Sequence, residues 1–82
     1  MRWTVTWLVA AEDELALLWI QAPNKKAVSE AANRIERSLQ VDPDLKGILD
    51  DGYRIYADPP LVVTYHVSPD DLLVRIMWVA RI

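Results

Sequence analysis

Residues 52–82 read GYRIYADPPLVVTYHVSPDDLLVRIMWVARI, and their pattern largely determines the fold. It contains three short runs rich in β-branched and aromatic residues. The turn signals Asp58-Pro59-Pro60 and Ser68-Pro69-Asp70-Asp71 separate these runs. This pattern predicts three consecutive antiparallel strands joined by tight turns. We expect the remaining residues to pack against that meander.

The first half of the chain predicts one further strand and two helices. Residues 2–9 alternate between polar and apolar side chains, which is typical of a half-buried strand. From Ala11 the apolar residues recur at helical spacing, until Pro23 ends the first helix. Asn24 is placed to cap a second helix. The apolar stripe of that helix is Val28, Ala31, Ala32, Ile35 and Leu39.

The order of these elements predicts the fold class. Two helices joined by a short connection form an antiparallel hairpin, and the strands form a small antiparallel sheet beneath it. The order β-α-α-β-β-β is therefore an α+β fold. We expect residues 1–82 to form a single domain, because 82 residues with 52% apolar side chains suffice for one core. Residues 45–51 are expected to cross over without regular structure.

Composition narrows the function classes. The absence of cysteine excludes a disulfide framework and a thiolate metal site. The acid pairs Asp50-Asp51 and Asp70-Asp71 lie in predicted turns without a neighbouring histidine, so we predict no metal and no other cofactor. A net charge of -3 argues against a general nucleic-acid binder. With no apolar run of the roughly 20 residues that span a membrane, and no export pattern, we expect a cytoplasmic protein away from membranes.

Strand alternation predicts which side chains lie on the face of the sheet away from the helices. The predicted inward residues are Tyr53, Ile55, Ala57, Leu61, Val63, Tyr65, Val67, Val74, Ile76, Trp78 and Ala80. The predicted outward residues with polar or charged groups include Arg2, Arg54, Tyr56, His66, Arg75 and Arg81, and no acid. Two interpretations remain open: a locally cationic surface for RNA phosphate or an acidic protein segment, or ordinary exposed strand residues.

Several short patterns occur in a fixed order along the chain. They are Val5-Thr6-Trp7, residues 11–15, residues 31–35, Asp42-Pro43, Gly52-Tyr53-Arg54 and residues 60–65. Their order and spacing resemble the RelE/ParE superfamily of toxins from type II toxin-antitoxin modules, also known as plasmid-stabilisation proteins. The resemblance covers essentially the whole chain, and it implies a helical hairpin on a small antiparallel sheet and a cognate antitoxin as partner.

The resemblance leaves three functions open. The first function is that of a toxin acting on translation as an mRNA interferase, because RelE-like members cut mRNA in the ribosomal A site without a metal. ParE-like members inhibit DNA gyrase, which is the second. The third is a protein-binding module without toxicity, which binds an antitoxin-like partner or further copies of itself, for example through an exposed edge strand.

Candidate site residues follow from the resemblance and from the chemistry. By position, Arg54 matches a basic residue of the family's second strand, and Arg81 lies near the basic position that ends the last strand. Tyr56 and Val62 occupy two other positions that are usually basic. RNA cleavage needs proton transfer and stabilisation of a charged phosphorane. We therefore predict Arg54, Arg81 and His66 as catalytic residues, and Arg75, Tyr56 and Arg2 as substrate-binding residues.

Overall fold

The computed structural model describes residues 2–82, which form five strands and two helices. The elements are β1 (Thr4–Trp7), α1 (Val9–Gln21), α2 (Lys25–Leu39), β2 (Ile48–Asp50), β3 (Tyr53–Asp58), β4 (Leu61–Ser68) and β5 (Leu73–Arg81). Short 3-10 turns at Pro43–Leu45 and Pro69–Asp71 link α2 to β2 and β4 to β5. The predicted β-α-α-β-β-β order is confirmed, and β2 is added ahead of the C-terminal meander.

The sheet has the strand order β1-β5-β4-β3-β2. Strands β2 to β5 pair antiparallel in chain order, whereas β1 pairs with β5 in parallel. The sheet is therefore mixed rather than wholly antiparallel. The two helices pack on one face of it, which confirms the predicted α+β class.

The helix boundaries follow from local chemistry. The Asn24 side chain accepts a hydrogen bond from the backbone N–H of Ala27 at 3.1 Å, so the predicted cap of α2 is confirmed. Helix α1 begins at Val9, which the alternation had assigned to the first strand. The change of structure occurs at Leu8: its N–H donates to the carbonyl oxygen of Ile76 on β5, and its own carbonyl oxygen accepts the first helical bond, from Glu12. Val9 is consequently exposed.

The core lies between the helices and the sheet. All five predicted stripe residues of α2 are buried. They meet the buried sheet residues Leu61, Val63, Tyr65, Val74, Ile76 and Val79. Complete burial of one such aliphatic side chain stabilises the fold by about 1.5–3 kcal/mol. Helix α2 is therefore held to the sheet by hydrophobic contact along its whole length.

Strand β2 was not predicted, since residues 45–51 were expected to cross over without regular structure. It pairs with β3 through a two-residue turn at Asp51 and Gly52, which have φ angles of 52° and 84°. Two successive residues with positive φ are typical of the tight turns that match the twist of a hairpin. The Asp-Gly dipeptide was the signal in the sequence for this hairpin.

Strand β3 presents the opposite face to the one predicted. Arg54 and Tyr56 lie opposite the buried residues Tyr65 and Val63 on β4, so both point towards the helices. The prediction that Tyr53, Ile55 and Ala57 point inward is therefore wrong. The reason is that the helix layer offers polar partners at this edge. The Tyr56 hydroxyl lies 3.0 Å from the Ser38 hydroxyl, and Asp58 forms a bidentate ion pair with Arg34.

Strand β5 contains a β-bulge that reverses its alternation. Ile76 lies opposite Tyr65 while Trp78 lies opposite Thr64, so Met77 is an extra residue. Beyond the bulge Val79 points inward, and Trp78 points away from the helices with 58% of its surface exposed. The predicted inward positions of Trp78 and Ala80 are therefore wrong.

Candidate functional site

The face of the sheet away from the helices, the open face, has an aromatic centre with one arginine beside it. His66 on β4 and Arg75 on β5 lie directly opposite each other. The ring of Tyr53 lies edge-on to His66, with 6.0 Å between centroids, and edge-on to Trp78, with 5.7 Å between centroids. Edge-to-face contacts at these distances stabilise the rings in place. The open face thus offers an exposed indole and an imidazole that both contact Tyr53, and a guanidinium opposite the imidazole.

A small cleft of about 130 Å³ lies beside this pair. It is lined by His66, Ser68, Asp71, Leu73 and Arg75. The Ser68 hydroxyl donates to a carboxylate oxygen of Asp71 at 3.2 Å, which ties down the turn that follows β4. The histidine can transfer a proton and the arginine can stabilise an anion, so the cleft has the groups for acid-base chemistry on a phosphate.

The six predicted site residues do not share one surface. His66 and Arg75 are adjacent on the open face, and Arg2 is exposed ahead of β1. Arg54 and Tyr56 point towards the helices, where Arg54 donates to the carbonyl oxygen of Lys46 at 3.0 Å. Because of the bulge in β5, Arg81 lies opposite buried Leu61, on the helix side at the other end of β4.

The predicted outward positions of Arg54, Tyr56 and Arg81 are therefore wrong, since none of the three belongs to the open face. The catalytic roles of Arg54 and Arg81 stay predictions, and so does the substrate-binding role of Tyr56. Two residues of the open face were missed. Tyr53 and Trp78 had been placed in the core, because strict alternation takes no account of the bulge or of the polar partners behind β3.

The polar groups on the helix side of β3 support the structure. The buried hydroxyl of Tyr65 donates to the carbonyl oxygens of Pro43 and Lys46. A tyrosine in the core needs such a partner for its hydroxyl. Burial raises the pKa of this hydroxyl to about 12, although the nearby charge of Arg54 lowers it in part. The Lys46 ammonium group donates to the carbonyl oxygen of Ser38 near the end of α2. These contacts join the segment after α2 to strands β3 and β4.

A second concave surface lies between the two helices, and the sequence analysis missed it. It is a groove of about 600 Å³. Its apolar lining includes Trp7, Leu15, Trp19, Ile20 and Val28, and its polar lining includes Glu12 and Glu36. The signal in the sequence was α1 itself, where Leu17 and Ile20 interrupt what should be a polar outer face.

Two further observations concern the part of the chain from residue 2 to residue 82. Its helices are too short or too polar to cross a membrane. Its histidine, aspartate and glutamate side chains do not gather in any group of three or more that could hold a metal ion.

Comparisons with known proteins identify the fold. No family model matches the sequence, and no curated protein matches it. Among solved structures, the chain aligns over 100% of its length with 93% of a chain in the toxin-antitoxin complex RelBE2 from Mycobacterium tuberculosis, with a TM-score of 0.79 and 15% identity. The chain also aligns over 99% of its length with 97% of a chain in the chromosomal ParDE system from P. aeruginosa, with a TM-score of 0.68 and 15% identity. The chain therefore shares the fold of these two chains, which is the α+β fold that the sequence resemblance had implied.

Proposed function

We propose that this chain is the toxin of a type II toxin-antitoxin module, acting in the cytoplasm and neutralised by a cognate antitoxin. The observation that carries the proposal is the match to the RelBE2 complex, which spans nearly all of both chains. The match to a ParDE system supports the same role. A fold alone can serve many functions, so the cellular target has to be argued from the open face.

The target that the open face suits best is mRNA in the translating ribosome. Single-stranded RNA is bound by stacking of bases on exposed aromatic rings and by cations next to its phosphates. Trp78 offers such a ring, and Arg75 offers such a cation on the same strand. His66 faces Arg75 across the pair of strands and brings an imidazole, which can accept and donate a proton.

The proposed reaction uses these two residues in different roles. His66 accepts the proton of a ribose 2'-hydroxyl, whose oxygen then attacks the neighbouring phosphorus. Arg75 stabilises the negative charge of the phosphorane. The bond from phosphorus to the 5'-oxygen breaks, and that oxygen takes up a proton from the imidazolium or from water. The products are a 2',3'-cyclic phosphate and a 5'-hydroxyl end.

The test is tightly controlled induction of this chain alone in a bacterial host, with growth, mRNA ends and DNA supercoiling followed together. We expect growth arrest with mRNA cut at codons in the ribosomal A site. The double variant His66→Gln with Arg75→Ala should relieve the arrest. The control Arg54→Ala with Arg81→Ala changes two residues outside the open face and should not relieve it. If the Arg54→Ala with Arg81→Ala variant relieves the arrest and the His66→Gln with Arg75→Ala variant does not, catalysis is assigned to Arg54 and Arg81 instead.

Inhibition of DNA gyrase is the second candidate function, and the match to the ParDE system favours it. If the chain inhibits gyrase, we expect neither double variant to relieve the arrest, because this function requires no RNA cleavage by the chain. Purified chain should then block supercoiling by gyrase in vitro. Unchanged supercoiling at saturating chain would remove this candidate. Folded chain that neither arrests growth nor affects gyrase would contradict both candidates and leave a protein-binding module.

A further inference from the structure

Five side chains of the open face, one from each strand, lie in a row across the sheet. Asp50 on β2 lies opposite Tyr53 on β3, and the Tyr53 ring contacts His66 on β4. His66 lies opposite Arg75 on β5, and Arg75 pairs in turn with Thr6 on β1. Neighbouring strands are about 4.7–4.9 Å apart, so each of these side chains is within reach of the next. This polar row places Tyr53 directly beside the imidazole.

The next row along the strands is largely apolar. It contains Ile48, Ile55, Thr64 and Trp78, which lie opposite one another from β2 to β5. Two residues of a strand span about 7 Å, which is the distance between this apolar row and the polar row. The β-bulge brings the indole into the apolar row, because strict alternation would put Met77 opposite Thr64. The open face therefore carries an indole one row away from the imidazole and the guanidinium.

The ring of Tyr53 joins the two rows. It contacts His66 in its own row and Trp78 in the neighbouring row, at angles between the ring planes of 62° and 67°. Aromatic rings attract each other in this edge-to-face arrangement, because the positive edge of one ring meets the negative face of the other. Strand β4 lies between the strands of Tyr53 and Trp78, so these two rings meet across it. One side chain thus touches both the group proposed to transfer protons and the ring proposed to bind a base.

The surroundings of Tyr53 suit it to hold these two rings. His66 and Trp78 are exposed, whereas Tyr53 is half-buried. Tyr53 directly follows the tight turn at Asp51 and Gly52, and its strand is paired on both sides. Exposed side chains exchange between rotamers unless their neighbours restrict them. The contacts with Tyr53 provide that restriction for both rings.

We propose that Tyr53 is a positioning residue, whose ring orients the imidazole of His66 for proton transfer and the indole of Trp78 for a nucleobase. The inference rests on the proposed function, in which those two residues act on RNA. Tyr53 itself touches no reacting atom. A displacement of a catalytic group by about 1 Å can lower a rate roughly a hundredfold. Loss of the Tyr53 ring should therefore slow cleavage and also weaken binding of the mRNA.

The test compares two variants of the full chain on purified ribosomes that carry a labelled mRNA. Tyr53→Phe keeps the ring and both of its contacts, whereas Tyr53→Leu replaces the ring by an aliphatic side chain. For Tyr53→Leu we expect the maximal rate of cleavage to fall roughly ten- to a hundredfold. The chain concentration that gives half the maximal rate should rise roughly two- to tenfold, as expected for the loss of one aromatic contact. Tyr53→Phe should retain both values.

A third variant controls for lost stability. Ile35→Val removes a buried methyl group from α2, on the other side of the sheet, and should leave both values unchanged. Equal losses in Ile35→Val and Tyr53→Leu would show that general destabilisation causes the effect, and would overturn the inference. Equal losses in Tyr53→Phe and Tyr53→Leu would also overturn it, because the hydroxyl rather than the ring would then be required. Circular dichroism checks that every variant is folded.

Proton NMR of the unsubstituted chain tests the ring contacts themselves, without any RNA. His66 is the only histidine in the sequence, so its ring signals are assigned directly. We expect nuclear Overhauser effects between the rings of Tyr53 and His66 and between the rings of Tyr53 and Trp78. In Tyr53→Leu the His66 signals should move towards those of an exposed imidazole, and in Tyr53→Phe they should stay near their original positions. Absence of either Overhauser effect in the folded chain would overturn the inference.

The cleavage assay and the NMR measurement separate this inference from the proposed function. If the unsubstituted chain cleaves no mRNA on ribosomes, the proposed function fails, and the role of Tyr53 in cleavage fails with it. If the chain cleaves mRNA but Tyr53→Leu cleaves at the original rate, only the inference fails. Slower cleavage by Tyr53→Leu, with normal cleavage by Tyr53→Phe and both ring contacts present, supports the two together.

Discussion

The hydroxyl of Tyr65 donates a hydrogen bond to the carbonyl oxygen of Pro43 at 2.8 Å and shares it with Lys46 at 2.9 Å. Tyr65→Phe keeps the ring but leaves these buried oxygens without that donor. We expect it to lower the free energy of unfolding by about 1–2 kcal/mol in urea denaturation. Tyr56→Phe is the matched control, because the half-buried Ser38 hydroxyl can turn to water. A larger loss from Tyr56→Phe would contradict the structural role of Tyr65.

The same hydroxyl makes stability depend on alkaline pH. Burial raises the pKa of Tyr65 from 10.0 to about 12, so the folded chain holds this proton more tightly than the unfolded chain does. The stabilisation is complete below the unfolded pKa and is lost as the pH rises through the folded pKa. We expect the free energy of unfolding to fall between about pH 10 and about pH 12 more steeply in the unsubstituted chain than in Tyr65→Phe. Parallel curves would show that Tyr65 does not carry the effect.

Gly47 and Gly52 both have positive φ, but they differ in their surroundings. A Cβ at Gly47 would collide with the backbone carbonyl of Ile55, whereas a Cβ at Gly52 meets no atom within 4 Å. Gly52→Ala should therefore cost only the conformational penalty, about 1–2 kcal/mol. Gly47→Ala should cost more, about 3 kcal/mol or above, because the backbone of β3 would have to move. Thermal unfolding of the two variants tests this order, and equal losses would contradict it.

Trp78 and Val79 are neighbours in sequence that lie on opposite faces of the sheet. Trp78→Ala removes an exposed ring, so we expect a loss of stability below about 1 kcal/mol. Val79→Ala removes buried methyl groups and should cost about 1–2 kcal/mol. Urea denaturation compares them. A greater loss from Trp78→Ala would place Trp78 in the core, as strict alternation had predicted. Trp78→Ala should also weaken any binding of single-stranded RNA.

The sequence was sufficient to predict the helices and strands whose signals come from residues close together in the chain. Asn24 predicted the start of α2, and the apolar spacing from Val28 to Leu39 predicted its buried stripe. The alternation of residues 2–9 likewise predicted a half-buried strand, and in the structure Trp3 is buried while Val5 and Trp7 pack on the core. Each of these signals comes from residues within about three helical turns of one another, so tertiary contacts had little to override.

The faces of β3 and β5 depend on contacts that the sequence does not display. In β3, the more polar of the two alternating sets points inward, because Ser38 and Arg34 on α2 offer partners to Tyr56 and Asp58. In β5, the extra residue Met77 shifts every later side chain to the other face. A site inferred from strict alternation therefore kept His66 and Arg75 together but added Arg54 and Arg81 from the wrong side.

The parallel pairing of β1 with β5 also has a consequence for synthesis on the ribosome. Val5 and Trp7 need the backbone of Val74 and Ile76, and those residues are translated after all the elements between them. The first strand and helix α1, which packs on β5, therefore stay partly uncovered until β5 leaves the exit tunnel. A nascent chain of this topology cannot complete its tertiary structure early, because the contacts that close the sheet are the most distant in the sequence. Until β1 pairs with β5, the incomplete chain can be bound by chaperones, by proteases and by any protein that recognises its helices.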